Sequence, residues 1–318
     1  AEWTARVPEL VEQVTIADNR RNRLYCNEDG VLTACWEAAE NDFTTDVAWG
    51  DMDNDGDLDL AVANTGLGIT LPNFAGLIQE TPNRIYRNLG RDSTGTPRFE
   101  VVCCMDLGSS VGIAWGDYDQ DGDLDLATAN GRHFMQVIFN GSEELTHVAH
   151  PLLNRIYRNN WTPAGGATEP FTLDTSFAPP PGISFRAEWV DVDRDGMLDL
   201  AFADQETDRV YCNRKPANGP RIMKLCWESP APFDLTTGMS WGDVDNDGDP
   251  DLAVGNSDLW SGGEPNRLYR NKGLTSADWL DMEVIWQSRR ALNDATLSVA
   301  WGDVNNDGLL DLAVGNGN

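Results

Sequence analysis

Along its hydrophobic and polar positions, the chain alternates between short apolar runs and tight acidic turns. Residues 49–64 read WGDMDNDGDLDLAVAN, and the pattern returns at 115–130 (WGDYDQDGDLDLATAN), 189–204 (WVDVDRDGMLDLAFAD), 241–256 (WGDVDNDGDPDLAVGN) and 301–316 (WGDVNNDGLLDLAVGN). A second pattern follows in phase: NRIYRN at Asn83 and Asn154, DRVYCN at Asp208 and NRLYRN at Asn266. A further copy, NRLYCN, stands at Asn22, ahead of the first acidic turn. Runs such as Leu60-Ala61-Val62-Ala63 are apolar on both alternating faces, which marks a strand covered on both sides.

Each unit reads as four short β segments: strand A ending in Trp-Gly, the acidic turn, strand B (LDLAVAN), strand C (NRIYRN) and strand D (FEVVCC at 99–104, MEVIWQ at 282–287). Four strands per repeat with both faces covered predict an all-β fold, a β-propeller of four-stranded blades. The expected organisation is a single domain over 1–318, with blades at about 1–42, 43–108, 109–180, 181–233 and 234–292. These make five complete blades, and 293–318 adds the A–B hairpin of a sixth. The first blade is inferred from Ala1-Glu2-Trp3, which matches Ala187-Glu188-Trp189, and from VTIADN at 14–19; residues 4–13 carry none of the aspartates. Either the last hairpin completes a minimal sixth blade or further blades lie outside this segment. The chain starts at Ala1, as a trimmed segment or a mature chain freed of its leader would.

The acidic turns share the spacing D-x-D-x-D-G-x-x-D. The first uses Asp51, Asp53, Asp55 and Asp59, with Asp57 offering its backbone carbonyl. The equivalents are Asp117, Asp119, Asp121, Asp123 and Asp125; Asp191, Asp193, Asp195, Met197 and Asp199; Asp243, Asp245, Asp247, Asp249 and Asp251; and Asp303, Asn305, Asp307, Leu309 and Asp311. Calcium takes six to eight oxygen ligands, and an all-oxygen set without His or Cys disfavours zinc and copper. Magnesium keeps its waters and suits the pattern less. An EF-hand is rejected because position twelve is Val62, Thr128, Phe202, Val254 or Val314 instead of Glu. About five calcium sites are expected, weaker in the third loop (Arg194, Met197) and the fifth (Asn305, Leu309). These ions staple the A–B turns, so their removal should destabilise the fold.

A formal net charge of −29 argues against nucleic-acid and anionic-membrane partners. No apolar run approaches the roughly 20 residues a membrane helix needs. Cys26 and Cys35 share a sequence context with Cys212 and Cys226, which predicts disulfides Cys26–Cys35 and Cys212–Cys226 and an oxidising compartment; buried free thiols are the alternative. Cys103 and Cys104 are left open between free thiols and a vicinal bridge.

The five acidic loops, the preceding Trp-Gly and the following Leu-Ala-Val-Ala/Gly-Asn resemble the FG-GAP/VCBS repeat family, which includes the calcium-binding blades of integrin α-subunit propellers. The resemblance spans nearly the whole chain and implies a secreted or cell-surface (or periplasmic) module for adhesion or glycan recognition.

The B–C connections vary most: 65–82, 131–153 and 257–265 are long, and long loops on a rigid scaffold carry function. His133, Phe134, His147 and His150 fall in the second, and Trp260 in the third. They are candidate ligand contacts; a loop with its own small core, or an ordinary packed Trp, is the plainer reading. Nine of the twelve tryptophans recur at repeat positions and are expected to pack between blades. The recurring Arg23, Arg84, Arg155, Arg209 and Arg267 of strand C are expected to pair with loop carboxylates or carbonyls. The expected function is a calcium-binding recognition module that takes protein or glycan at its variable face. The alternatives are a structural segment of a larger assembly and a carbohydrate-active enzyme. No nucleophile motif, phosphate loop or Cys/His cluster supports the last, so no enzymatic activity is expected.

Overall fold

The computed structural model describes residues 21–65, 67–68, 78–79, 81–105, 110–131, 153–162, 169–230, 235–257, 264–289 and 295–317. Among these, every regular element is a strand, and the sheets follow one another in chain order. The first sheet pairs β1 (Arg23–Glu28) with β2 (Val31–Glu37). The second runs β3 (Thr44–Gly50), β4 (Asp59–Asn64), then, past a ribbon of β5 (Leu67–Gly68) and β6 (Ile78–Gln79), β7 (Asn83–Arg91) and β8 (Pro97–Met105). The third holds β9 (Ser110–Gly116), β10 (Asp125–Asn130), β11 (Arg155–Asn159) and β12 (Phe171–Leu173). The fourth holds β13 (Ser184–Val190), β14 (Asp199–Asp204), β15 (Arg209–Arg214) and β16 (Ile222–Glu228). The fifth holds β17 (Thr236–Gly242), β18 (Asp251–Asn256), β19 (Arg267–Leu274) and β20 (Leu280–Gln287), and the sixth pairs β21 (Ala295–Gly302) with β22 (Asp311–Gly317). The four-stranded sheets are antiparallel meanders. Four of them are complete among the described residues. Strands A and B of the expected first blade lie outside these residues.

The repeat sets the register. Leu60 stands opposite Trp49 and Tyr86, and the rung recurs as Trp115–Leu126–Tyr157, Trp189–Leu200–Tyr211 and Trp241–Leu252–Tyr269. The second strand of each complete sheet is buried at every residue, as its two apolar faces require. Each fully buried Leu or Val there contributes roughly 1.5–3 kcal/mol. First strands of successive sheets lie side by side, β3 against β9, β9 against β13, β13 against β17 and β17 against β21. Sheets join through their side chains: Trp36 packs edge-on against Tyr86 of the next sheet, and Trp227 against Tyr269, each at 5.2 Å between ring centroids.

The repeated tryptophans are not all core. Trp49 is 44% exposed and Trp286 45%. Trp286 occupies the place of Trp36 and Trp227, but the described part of the sixth sheet has no third strand to present a Tyr to it. In β22, too, the DLAVGN segment is partly exposed where its four counterparts are buried.

Candidate metal centre

The loops 51–59, 117–125, 191–199, 243–251 and 303–311 each join the first strand of a sheet to the second, and all five follow one backbone course. Position four is left-handed in every copy: φ is 58° at Asn54, 60° at Gln120 and 59° at Arg194, Asn246 and Asn306. The glycine at position six follows at φ from 83° (Gly196) to 97° (Gly122), a conformation it adopts without a Cβ penalty. The position-one carboxylate organises the turn. Asp51 accepts the N–H groups of Asp55 (3.1 Å) and Gly56 (3.0 Å), and Asp117, Asp191, Asp243 and Asp303 repeat the pair. Position five in turn accepts the N–H of position seven, as Asp55 does from Asp57 at 2.9 Å.

Position nine opens the second strand and is fully buried at Asp59, Asp125, Asp199 and Asp251. Asp59 accepts the N–H of Met52 (2.9 Å) from its own loop and of Asn88 (2.7 Å) from β7. Burial pushes Asp59 up to about 6 and Asp125 and Asp199 up to about 7, against the pull of these backbone donors. A cation alongside would favour the charged form and reverse the shift.

Four of the five loops bring three carboxylates within 4.8 Å of one another among the described residues: Asp51, Asp53 and Asp59; Asp117, Asp119 and Asp125; Asp191, Asp193 and Asp195; and Asp243, Asp245 and Asp251. Cys212 lies as close to Asp193 and Asp199, but its sulfur is bonded to Cys226 and is no thiolate donor. In the 303–311 loop Asn305 replaces one carboxylate, and the loop is open, with Val304 80% exposed. Backbone N–H groups, first that of Gly308, hold its Asp303 below the usual carboxylate range.

Asp53 Oδ1, Asp119 Oδ1 and Asp125 Oδ2 are buried without a hydrogen-bond partner among the described residues. A buried acceptor left unsatisfied is costly, and three such oxygens inside acidic loops fit a hard divalent cation.

The arginines that reach these loops are not those the repeat pointed to. Arg84 pairs with Asp42, Arg209 with Asp204 (2.9 Å) and Glu228 (3.1 Å), and Arg23 with Glu37 (2.8 Å), none of them a loop carboxylate. Arg84 and Arg209 sit at the start of the third strand, at the opposite end of the sheet from the acidic loop. The arginine three residues on faces the loop: Arg87 lies 2.5 Å from Asp53, Arg158 3.5 Å from Asp119 and Arg270 3.9 Å from Asp245. In the fourth sheet a cysteine holds that position, and Arg214, two residues further, reaches Asp193 at 2.7 Å instead. The signal lay in the fifth letter of NRIYRN, which is arginine wherever it is not cysteine.

Both predicted disulfides are present, Cys26–Cys35 and Cys212–Cys226, each with Cα atoms 5.7 Å apart. His133, Phe134, His147, His150 and Trp260 lie outside the described residues, as do the side chains of Cys103 and Cys104. A groove of about 320 Å³ beside the 51–59 loop is lined by Leu24, Trp49, Leu58, Pro97 and Phe99. Its counterparts between later sheets are filled by the position-two side chains Met52, Tyr118 and Val192, which marks it as a packing slot of the repeat.

Residues 191–254 and 243–314 match the FG-GAP-like repeat family, two overlapping spans that take in the last three acidic loops. No curated protein matches the chain.

Proposed function

Since residues 191–314 carry FG-GAP-like repeats, we propose that the protein is a calcium-binding β-propeller acting outside the cell as a recognition or adhesion module. The observation that carries the reading is the set of buried, unpartnered carboxylate oxygens inside loops of one repeated geometry. Sheets that follow one another with first strands side by side support the propeller.

In the first four loops the carboxylates at positions one, three, five and nine, with the carbonyl of position seven, would hold the ion; in the fifth the Asn305 amide oxygen would stand in at position three. Bound calcium supplies positive charge that lets four crowded carboxylates stay ionised. The protein's own groups do the rest: the position-one carboxylate shapes the turn, the buried position nine ties it to the second and third strands, and Arg87, Arg158 or Arg214 shares the position-three carboxylate. Two disulfides support an oxidising compartment, and no helix of the described residues is long and apolar enough to cross a membrane. The assigned role is binding, not catalysis. Protein or glycan ligands would meet the long connections at 65–82, 131–153 and 257–265, where His133, Phe134, His147, His150 and Trp260 lie.

Calorimetric titration of chelator-treated protein tests the metal. The expected result is saturable calcium binding at five loops, weaker at the third and the fifth, and the loss of one site in Asp53→Asn. Absence of binding at millimolar calcium would overturn the reading. A glycan array with and without chelator tests the ligand; absent capture removes glycan from the proposal and leaves protein, and capture that survives the chelator shows that the ions do not hold the glycan.

A further inference from the structure

Building on the calcium assignment above, we propose that neighbouring loops bind their ions cooperatively, because each is hydrogen-bonded into the next.

Two kinds of link join them. The first comes from the left-handed position four. Asn54 Nδ2 donates to Gly122 O (3.1 Å) and to the carboxylate of Asp123 (2.8 Å) in the following loop. Gln120 Nε2 donates to Gly196 O (2.7 Å), and Arg194 Nη1 to the Asp249 carboxylate (3.2 Å). Three different residue types thus take hold of positions six or seven of the next loop. The carbonyl of position seven is the proposed backbone ligand, and the link ends beside it, on the carbonyl of position six or the side chain of position seven.

The second link is a single asparagine in the third strand. Asn159 donates its backbone N–H to Asp125 at position nine of its own sheet's loop (2.9 Å) and its side-chain Nδ2 to Met52 O in the preceding loop (2.7 Å). Asn213 joins Asp199 (2.7 Å) to Tyr118 O (2.7 Å) in the same way, and Asn271 joins Asp251 (2.8 Å) to Val192 O (2.7 Å). All three are buried. Arg221 adds a clamp, donating to Asp119 O (3.0 Å), Gln120 Oε1 (3.1 Å) and Met197 Sδ (2.8 Å).

An ion that fixes one loop therefore fixes atoms that hold the next, and the second ion meets a loop with less freedom left to lose. That is positive coupling without a change of fold. Neither link reaches the 303–311 loop among the described residues, which makes it an internal control that fills independently.

The test is a calcium titration against a competing chelator. Wild type is expected to show a Hill coefficient above one for the strong sites. Asp117→Asn should remove its own ion and weaken binding at the flanking 51–59 and 191–199 loops by about 5-fold or more, with faster amide exchange in both. Gln120→Ala changes an exposed side chain that ligates nothing; it should keep the number of ions and bring the Hill coefficient toward one. Sites that stay unchanged in both variants, with a wild-type Hill coefficient of one, overturn the coupling and leave calcium binding standing. If no loop takes calcium, both fall together. Should Asp117→Asn fail to fold, Gln120→Ala alone decides.

Discussion

Gly50, Gly116 and Gly242 follow the repeat tryptophans because the next sheet's tryptophan lies on them. A Cβ at Gly116 would meet Trp189 at 2.7 Å, and one at Gly50 would meet Trp115 at the same distance. Seated this way, Trp115, Trp189 and Trp301 donate their indole N–H to Ala48 O, Ala114 O and Ser240 O at 3.1–3.2 Å. Val190 breaks the series, and the buried Nε1 of Trp241, the repeat tryptophan facing it, finds no partner among the described residues; Trp161, outside the repeat position, is the other such indole. Gly116→Val should therefore cost about 1–3 kcal/mol by overpacking, measured by urea unfolding, and should strip the Trp189 indole N–H of exchange protection. The arginines behave by distance. Arg87→Ala leaves the nearly buried Asp53 unpaired and should destabilise calcium-free protein by about 2 kcal/mol, with most of the loss recovered in saturating calcium. Arg270→Ala, from a longer and exposed pair, should change the melting temperature much less. Equal losses for the two would contradict this account.

The strand ends opposite the acidic loops carry a relay from sheet to sheet. Asn83 Nδ2 donates to Ser110 Oγ (2.7 Å), whose hydroxyl donates to Asn130 Oδ1 (2.5 Å); Asn154 repeats the step through Ser184 to Asp204. At the next joint the asparagine is Asp208. Thr236 Oγ1 lies 3.0 Å from Asp208 Oδ2 and 2.8 Å from Asn256 Oδ1, and one hydroxyl proton cannot serve both. Burial pushes Asp208 up to about 7, against the lowering effect of Arg267, and pushes the adjoining Asp204, paired with Arg209, up to about 7 as well. A carboxyl whose folded value lies above its unfolded one near 4 keeps a proton in the folded state that the unfolded chain has released. Stability should accordingly fall as pH rises from about 4 to about 7 and then level off. Asp208→Asn, which restores the donor present in the earlier sheets, should flatten that slope and stabilise the protein at pH 8 by about 1 kcal/mol. An unchanged pH profile of thermal melting would refute the assignment.

For the molecule as a whole, stability is divided between apolar packing and cross-links. Chelation should lower the melting temperature in calcium-depleted buffer, since each ion at a hundred times its Kd contributes about 2.7 kcal/mol. Magnesium should restore little of it. Replacing Cys212 and Cys226 together by Ala should cost about 3 kcal/mol, because the bridge closes a loop of 14 residues in the unfolded chain and is fully buried in the folded one. Circular dichroism melts of the double variant against wild type measure it.

Local chemistry was legible in the chain before any coordinates. The five acidic turns declare themselves because Asp at alternate positions and Gly at position six satisfy a local geometry. The strands do so because a segment buried on both faces must be apolar almost throughout, as Leu60 to Ala63 are, with Thr128 the polar exception among their counterparts. The disulfides followed from one cysteine context used twice. Which arginine serves which carboxylate did not follow: Arg84 and Arg87 stand three residues apart on one strand, and only the fold shows that they serve opposite ends of the sheet. Nor could the chain reveal that Val190 strands Trp241, or that Asn159 ties two loops together. These relations join residues tens of positions apart, and what brings such residues together is the stacking of sheet on sheet, which only the tertiary structure fixes.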